Sequence, residues 1–177
     1  THMNYLTEAF RNLEAGSLRI ASVSTGKYII PYIVADFLEH YPKVDLNIQV
    51  SNKEDVVTRL KDEDLDFALV SVIPNSVLVN EEVLFKNELF LVGNSPDFDP
   101  KRPLIYREKG SATRQAMDRY FRDSSSRKTF ELTSNEAVKQ AVKAGLGYSI
   151  LPRIGITHEL AEQSLYIIPQ KNLPIVT

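Results

Sequence analysis

Short apolar runs alternate along this chain with stretches in which apolar residues recur every three or four positions. Residues 18–23 form the first run, and Ser24-Thr25-Gly26-Lys27 interrupts it with a polar turn. Beyond the turn, Ile30, Ile33, Val34, Phe37, Leu38 and Tyr41 share one helical face. Pro31 suits the first turn of such a helix, where backbone amides have no intrahelical acceptor to lose. Residues 44–50 alternate strictly between apolar and polar, which predicts a strand near a sheet edge. Ser51 and Glu54 offer a capping box for a helix carrying Val56, Val57 and Leu60. Residues 65–72 are nearly continuous apolar sequence, as in a strand covered on both faces. Strands and helices in this order predict a βαβαβ unit with a parallel sheet.

Residues 83–92 continue as extended chain, and Pro96, Pro100 and Pro103 then rule out a helix or central strand. The same plan restarts after them. A strand over 103–106, a polar turn over 107–111 and a helix over 113–121 come first. A strand over 129–132 follows, and Ser134 and Asn135 can cap a helix carrying Ala137, Val138, Ala141 and Val142. Gly145 and Gly147 stop that helix before a strand over 148–151, a helix over 154–161 and a short strand over 165–168. The expected fold class is therefore α/β, with two βαβαβ lobes and a ligand cleft between them. Lobe I spans 17–92, a first crossover 93–103, lobe II 104–168, and a return crossover to lobe I 169–177. Thr1, His2 and Met3 read as a cloning remnant, and Leu6, Phe10 and Leu13 as the end of a helix closed by Gly16.

Composition changes the picture mainly by exclusion. With 177 residues the chain can build two small lobes with real cores, and 43% apolar and 25% charged residues are ordinary for a globular protein. A net charge of -2, with 21 scattered Lys and Arg residues, argues against nucleic-acid binding by this chain itself. The absence of cysteine excludes disulfides and thiolate metal sites. No apolar run approaches membrane-spanning length and no secretory signal opens the chain, so a cytoplasmic location without a membrane partner is expected.

Enzyme signatures are missing: there is no P-loop, GxGxxG, GxSxG or HExxH. His40 and His158 sit in charged helical contexts, and Asp62, Glu63, Asp64 and Asp66 look like a solvated helix end. No catalytic residue, metal or cofactor is expected. Binding is better supported, because ligands of open α/β sheets sit at the carboxyl ends of the strands. Ser24, Thr25, Gly26, Lys27, Ser71, Ser111, Thr113, Arg114, Ser134 and Asn135 all lie at strand ends or helix starts. Each alone fits a cap or a surface polar group better than a ligand contact; together they converge on one inferred cleft, and Ser71, after a buried strand, stands out. Two helix N-termini, with Lys27 and Arg114 beside them, favour an anionic ligand. The alternative is that both cations face solvent and the cleft takes a neutral ligand or none.

A family resemblance follows from particular stretches. Gly16-Ser17-Leu18-Arg19-Ile20, Ser24-Thr25-Gly26-Lys27-Tyr28, Pro31, Phe37 and Tyr41-Pro42 resemble the start of the effector-binding domain of LysR-type transcriptional regulators. Leu60 with Leu65 to Val70 resembles that family's third strand, and Ser134 to Val138 with Ala144 to Pro152 its second-lobe signature. The turn at Ser24 to Tyr28 is nearest the branch regulating carbon-fixation genes, whose effectors include phosphorylated metabolites. The resemblance implies a type-2 periplasmic-binding-protein-like fold that senses a small-molecule effector, an anionic metabolite. It implies a homodimer that is a tetramer when full-length, and DNA contact through a helix-turn-helix domain absent from this chain. Residues 5–15 then end a linker helix, and the family's first lobe is completed by chain beyond the position of Thr177. The alternatives are a solute-binding protein of a transporter, or a lyase or dehydratase on the same scaffold.

Overall fold

The computed structural model describes residues 16–123 and 126–177, and the helix expected over 5–15 lies outside them. The chain divides into two compact units at the junction of Phe85 and Lys86.

In the first unit, strand β1 (Gly16–Val23) leads through a 3-10 turn (Ser24–Tyr28) into helix α1 (Ile30–His40). Strand β2 (Val44–Ser51), helix α2 (Lys53–Lys61) and strand β3 (Phe67–Leu69) complete it. The sheet order is β2-β1-β3 and both pairings are parallel, as expected of a βαβαβ unit. Helix α1 buries Ile30 and half-buries Ile33, Val34, Phe37 and Leu38, the face its sequence periodicity marks. Ala21, Val23, Val56 and Leu65 form the buried core between the sheet and α2.

Two local expectations fail. Asn52, not Ser51, caps α2: its side-chain oxygen accepts from the Asp55 amide at 2.9 Å. The carboxamide one residue later reaches the first-turn amide, and Ser51 stays in the strand. The third strand is also shorter than its apolar run, and residues 67–71 are half-buried rather than fully covered.

The second unit opens with β4 (Glu88–Gly93) and continues through β5 (Leu104–Arg107), α3 (Ala112–Tyr120), β6 (Thr129–Leu132), α4 (Asn135–Lys143) and β7 (Ser149–Pro152). A 3-10 turn (Arg153–Gly155), α5 (Thr157–Ala161), β8 (Tyr166–Ile167) and β9 (Ile175–Val176) follow. Strands β5 and β6 are parallel, and a parallel bridge between Leu104 and Tyr148 joins β5 to the start of β7. Strand β4 runs antiparallel to β7, β8 and β9. Adjacent residues on these strands face opposite ways. Leu89, Leu91, Leu104 and Ile150 pack with Met117 of α3, while Val92, Ile105 and Leu151 pack with Val138 and Val142 of α4. The sheet is thus covered on both faces.

These pairings move the unit boundaries. Residues 83–92 were expected to close lobe I, yet among the described residues β4 pairs with β7, β8 and β9, all of the second unit. Residues 169–177 were expected to cross back, yet β9 pairs with β4, and Asn87 and Thr177 exchange both backbone hydrogen bonds at 2.9 Å. The antiparallel partners of β4 lie some sixty residues away or more, beyond the reach of local pattern.

Candidate functional site

In the first unit the candidate residues gather at the carboxyl end of the parallel sheet. Ser24, Thr25, Gly26 and Lys27 form the 3-10 turn that leaves β1. The Ser22 hydroxyl beneath it is fully buried and donates to the Val23 carbonyl at 2.8 Å. Gly26 presses so closely on this layer that a Cβ would lie 1.9 Å from Ser22 Oγ and 2.6 Å from Leu69 Cδ2. The glycine therefore sets how tightly the turn packs. Neither Ser24 nor Thr25 caps α1, whose N-cap is Ile29 with no side-chain hydrogen bond. Lys27 is half-buried and its Nζ lies 5.0 Å from the Tyr28 ring centroid.

Two hydroxyls beside this turn have no partner. Ser51 Oγ, at the end of β2, and Ser71 Oγ, just beyond β3, are buried without a hydrogen bond. Ser51 pairs in register with Val23, so it adjoins the turn directly. An unsatisfied buried hydroxyl costs about 1–3 kcal/mol, so a pair of them at the ligand end of an α/β sheet calls for an explanation. Sequence reasoning singled out Ser71 for its position after a buried strand but assigned Ser51 to capping. A Ser ending an alternating strand carries no signal that separates those roles.

In the second unit the candidates form a knit polar network. Ser111 caps α3, accepting from the Arg114 amide at 3.2 Å, and its hydroxyl meets the Thr113 hydroxyl at 2.7 Å. Thr113 Oγ1 donates to Asn135 Oδ1 at 3.5 Å, and the Arg107 guanidinium donates to the same oxygen at 2.5 Å. Ser134 caps α4 through the Ala137 amide at 3.0 Å. Ser111, Thr113, Asn135 and Arg107 are all buried at the carboxyl ends of β5 and β6. Arg107 was missed in the sequence, where it counts as part of a polar turn; an arginine closing the apolar run Leu104 to Tyr106 is the available signal. Its forked contact with Glu108, at 2.7 and 2.8 Å, balances its charge.

Arg114 does not serve as expected. Its Nε reaches Asp118 at 2.9 Å and its Nη1 reaches Glu131 at 2.6 Å and the Arg107 carbonyl at 2.9 Å. Burial alone lowers its pKa, but the hydrogen bonds and charges of Glu131 and Asp118 raise it overall. The side chain of a residue in the first turn of α3 reaches along its own helix and across to β6, satisfied by carboxylates on the way. It is not an open anion clamp.

Within each unit these groups can hydrogen-bond a polar or anionic ligand, through hydroxyls and Lys27 in the first and through hydroxyls and Asn135 in the second. Among the described residues no cluster of three or more His, Asp or Glu could hold a metal, and no helix is long and apolar enough to cross a membrane.

The fold agrees with known proteins. The family profile described as the LysR substrate binding domain matches residues 11–176. The RuBisCO operon transcriptional regulator of Allochromatium vinosum is 33% identical, over 97% of this chain and 61% of its own length. The HTH-type transcriptional regulator CbbR of Rhodospirillum rubrum is 34% identical, over 95% of this chain and 60% of its own. The chain thus spans about three-fifths of the length of these curated relatives. The regulatory domain of CcmR from Synechocystis, solved in complex with 2-PG, superposes with a TM-score of 0.82 at 30% identity, covering 91% of this chain and 84% of that one. The regulatory domain of HypT from Salmonella typhimurium shares the fold at 19% identity, with a TM-score of 0.74 over 90% of this chain and 82% of that one. The chain belongs to the LysR substrate-binding domains, the effector-binding part of transcriptional regulators.

Proposed function

We propose that this domain senses an anionic metabolite at the carboxyl ends of its strands and passes the signal to a DNA-binding domain outside this chain. The observation that carries the reading is the pair of buried, unpartnered hydroxyls, Ser51 and Ser71, flanking the Ser24–Tyr28 turn. A ligand oxygen there satisfies groups that the protein leaves unsatisfied. Lys27 supplies the full charge on the first unit; Ser24, Thr25 and Gly26 shape the turn. In the second unit Ser111, Thr113, Ser134 and Asn135, with Arg107 in place of Arg114, offer polar groups of the same kind. CcmR, a neighbour at 30% identity, was solved with 2-PG, which supports an anionic effector of similar size here.

The rest of the reading follows the family: a homodimer that assembles into a tetramer with its DNA-binding parts, working in the cytoplasm as a regulator and not an enzyme. Relatives named as transcriptional regulators favour this over a transporter's solute-binding protein. Calorimetric titration with 2-PG, sugar phosphates and dicarboxylates tests it. At least one should bind in the millimolar range or tighter. Thr25→Ala should weaken that binding by about 0.5–1.5 kcal/mol, the net worth of one hydrogen bond. Lys27→Ala should weaken it more, and added salt should shrink its effect by screening the charge. Absence of binding across the panel, or a Lys27→Ala variant that binds normally, defeats the reading.

A further inference from the structure

A second cationic site lies at the opposite end of the second unit's sheet. Arg102 precedes β5 and Arg127 precedes β6, so both sit at the amino ends of strands whose carboxyl ends hold Arg107 and Asn135. Arg107 lies five positions beyond Arg102, roughly 16 Å at 3.3 Å per extended residue. Arg102 and Arg127 are fixed to one scaffold. The Phe98 and Tyr148 rings are 5.3 Å apart; the Arg102 guanidinium lies 5.8 Å from the Tyr148 centroid and that of Arg127 6.0 Å from the Phe98 centroid. Arg127 Nε donates to the Arg102 carbonyl at 3.0 Å, and Arg102 Nη1 donates to Asn94 Oδ1 at 2.9 Å. Gly147 locks this corner, since a Cβ there would lie 2.2 Å from the Pro103 carbonyl oxygen.

What the scaffold lacks is an anion. Among the described residues neither arginine has a carboxylate within ion-pair distance, and Arg127 Nη2 is buried with no hydrogen-bond partner. Burial depresses the Arg127 pKa, and the nearby charge of Asp99 only partly offsets this. Asp99 turns Oδ1 to the Lys101 amide at 2.9 Å instead. A partly desolvated guanidinium with no carboxylate partner and an unsatisfied Nη2 is a group that a phosphoryl oxyanion can pair with.

We infer that Arg127 and Arg102, seated on Phe98 and Tyr148, form a second binding site for a phosphoryl oxyanion, distinct from the carboxyl-end site. It shares no residue with the proposed effector site, so either can fail alone. The arginine Nε–H resonances of the whole 177-residue chain, followed by NMR during titration with inorganic phosphate, test it. A parallel titration with chloride at matched ionic strength is the control, and a sugar phosphate arm separates free phosphate from a metabolite's phosphoryl group. Phosphate should shift Arg127 and Arg102 saturably in the millimolar range, with chloride inert. Arg127→Gln should abolish saturation, Arg127→Lys should weaken it severalfold, and Lys27→Ala should leave it intact. If Arg127→Gln does not fold, Arg102→Gln serves, with a severalfold weaker midpoint expected. Equal responses to phosphate and chloride, no saturation, or saturation that survives both Gln variants overturns the inference.

Discussion

Ser71 and Gly26 show how single residues balance stability against binding in the first unit. Ser71 Oγ is buried without a partner, so Ser71→Ala removes an unsatisfied group and should leave stability unchanged or raise it by up to about 1 kcal/mol. The same substitution should weaken effector binding, a divergence that denaturant unfolding and calorimetry read separately. A loss of stability would mean that the hydroxyl is satisfied in solution. Gly26→Ala should behave oppositely. Its new Cβ meets Ser22 Oγ and Leu69 Cδ2, and overpacking of this kind costs about 1–3 kcal/mol, measurable as a lower urea midpoint. Ser71 stood out in the sequence because it follows a strand-like apolar run. Arg114 was misread because its carboxylate partners, Asp118 and Glu131, come from the next helical turn and a neighbouring strand. Charge at a helix start is visible in sequence; what neutralises it is not.

Caps and amphipathic faces were the most legible features of whole elements. Ser111 and Ser134 cap α3 and α4 as their positions suggested, because capping is decided within four residues. The sheet membership of β4 was not legible, since its partners are distant in sequence. Between α4 and α5 the decisive contact is also non-local: Lys139 Nζ bridges Glu159 at 2.8 Å and Glu136 at 3.0 Å. Burial alone raises the Glu159 pKa, but its hydrogen bond and charge pairing with Lys139 hold it below its ordinary value. For Lys139, burial lowers the pKa, and the bonds to Glu159 and Glu136 outweigh that and raise it. A depressed carboxylate stabilises above its ordinary pKa and loses that contribution as pH falls through the folded value. The raised ammonium contributes below its ordinary pKa and loses that only as pH rises through its higher folded value. The pair therefore stabilises from the weakly acidic range to the alkaline range. Glu159→Gln should cost about 1–3 kcal/mol near neutrality, the penalty of a charged group left poorly paired. It should also flatten the acid limb of stability against pH. An acid limb as steep as in the unmutated chain would show that Glu159 is not its source.

At the scale of the molecule, β2 is one edge of the first unit's parallel sheet, and among the described residues β6 pairs with β5 alone in the second. An open edge with apolar side chains is a liability unless something covers it. On β2, Ile48 and Val50 are 38% and 47% exposed, and on α1 Tyr32 is 79% exposed. The alternation over 44–50 announced an edge strand, and the exposure of Ile48 and Val50 shows that its apolar face is not buried within the chain. A two-fold contact that pairs α1 and β2 of one protomer with α3 and β6 of its partner covers both edges twice, since an isologous interface uses the same patches in both directions. Sequence alone could not fix this, because an edge strand and a two-sided surface strand share one alternating pattern. The predicted outcome is a dimer at high micromolar concentration in sedimentation equilibrium. Ile48→Asp should convert it to monomer while leaving the thermal transition of the second unit in place, because the carboxylate faces water in the free protomer and apolar surface only in the pair. A monomeric unmutated chain, or an Ile48→Asp variant that remains dimeric, would move the interface elsewhere on the surface.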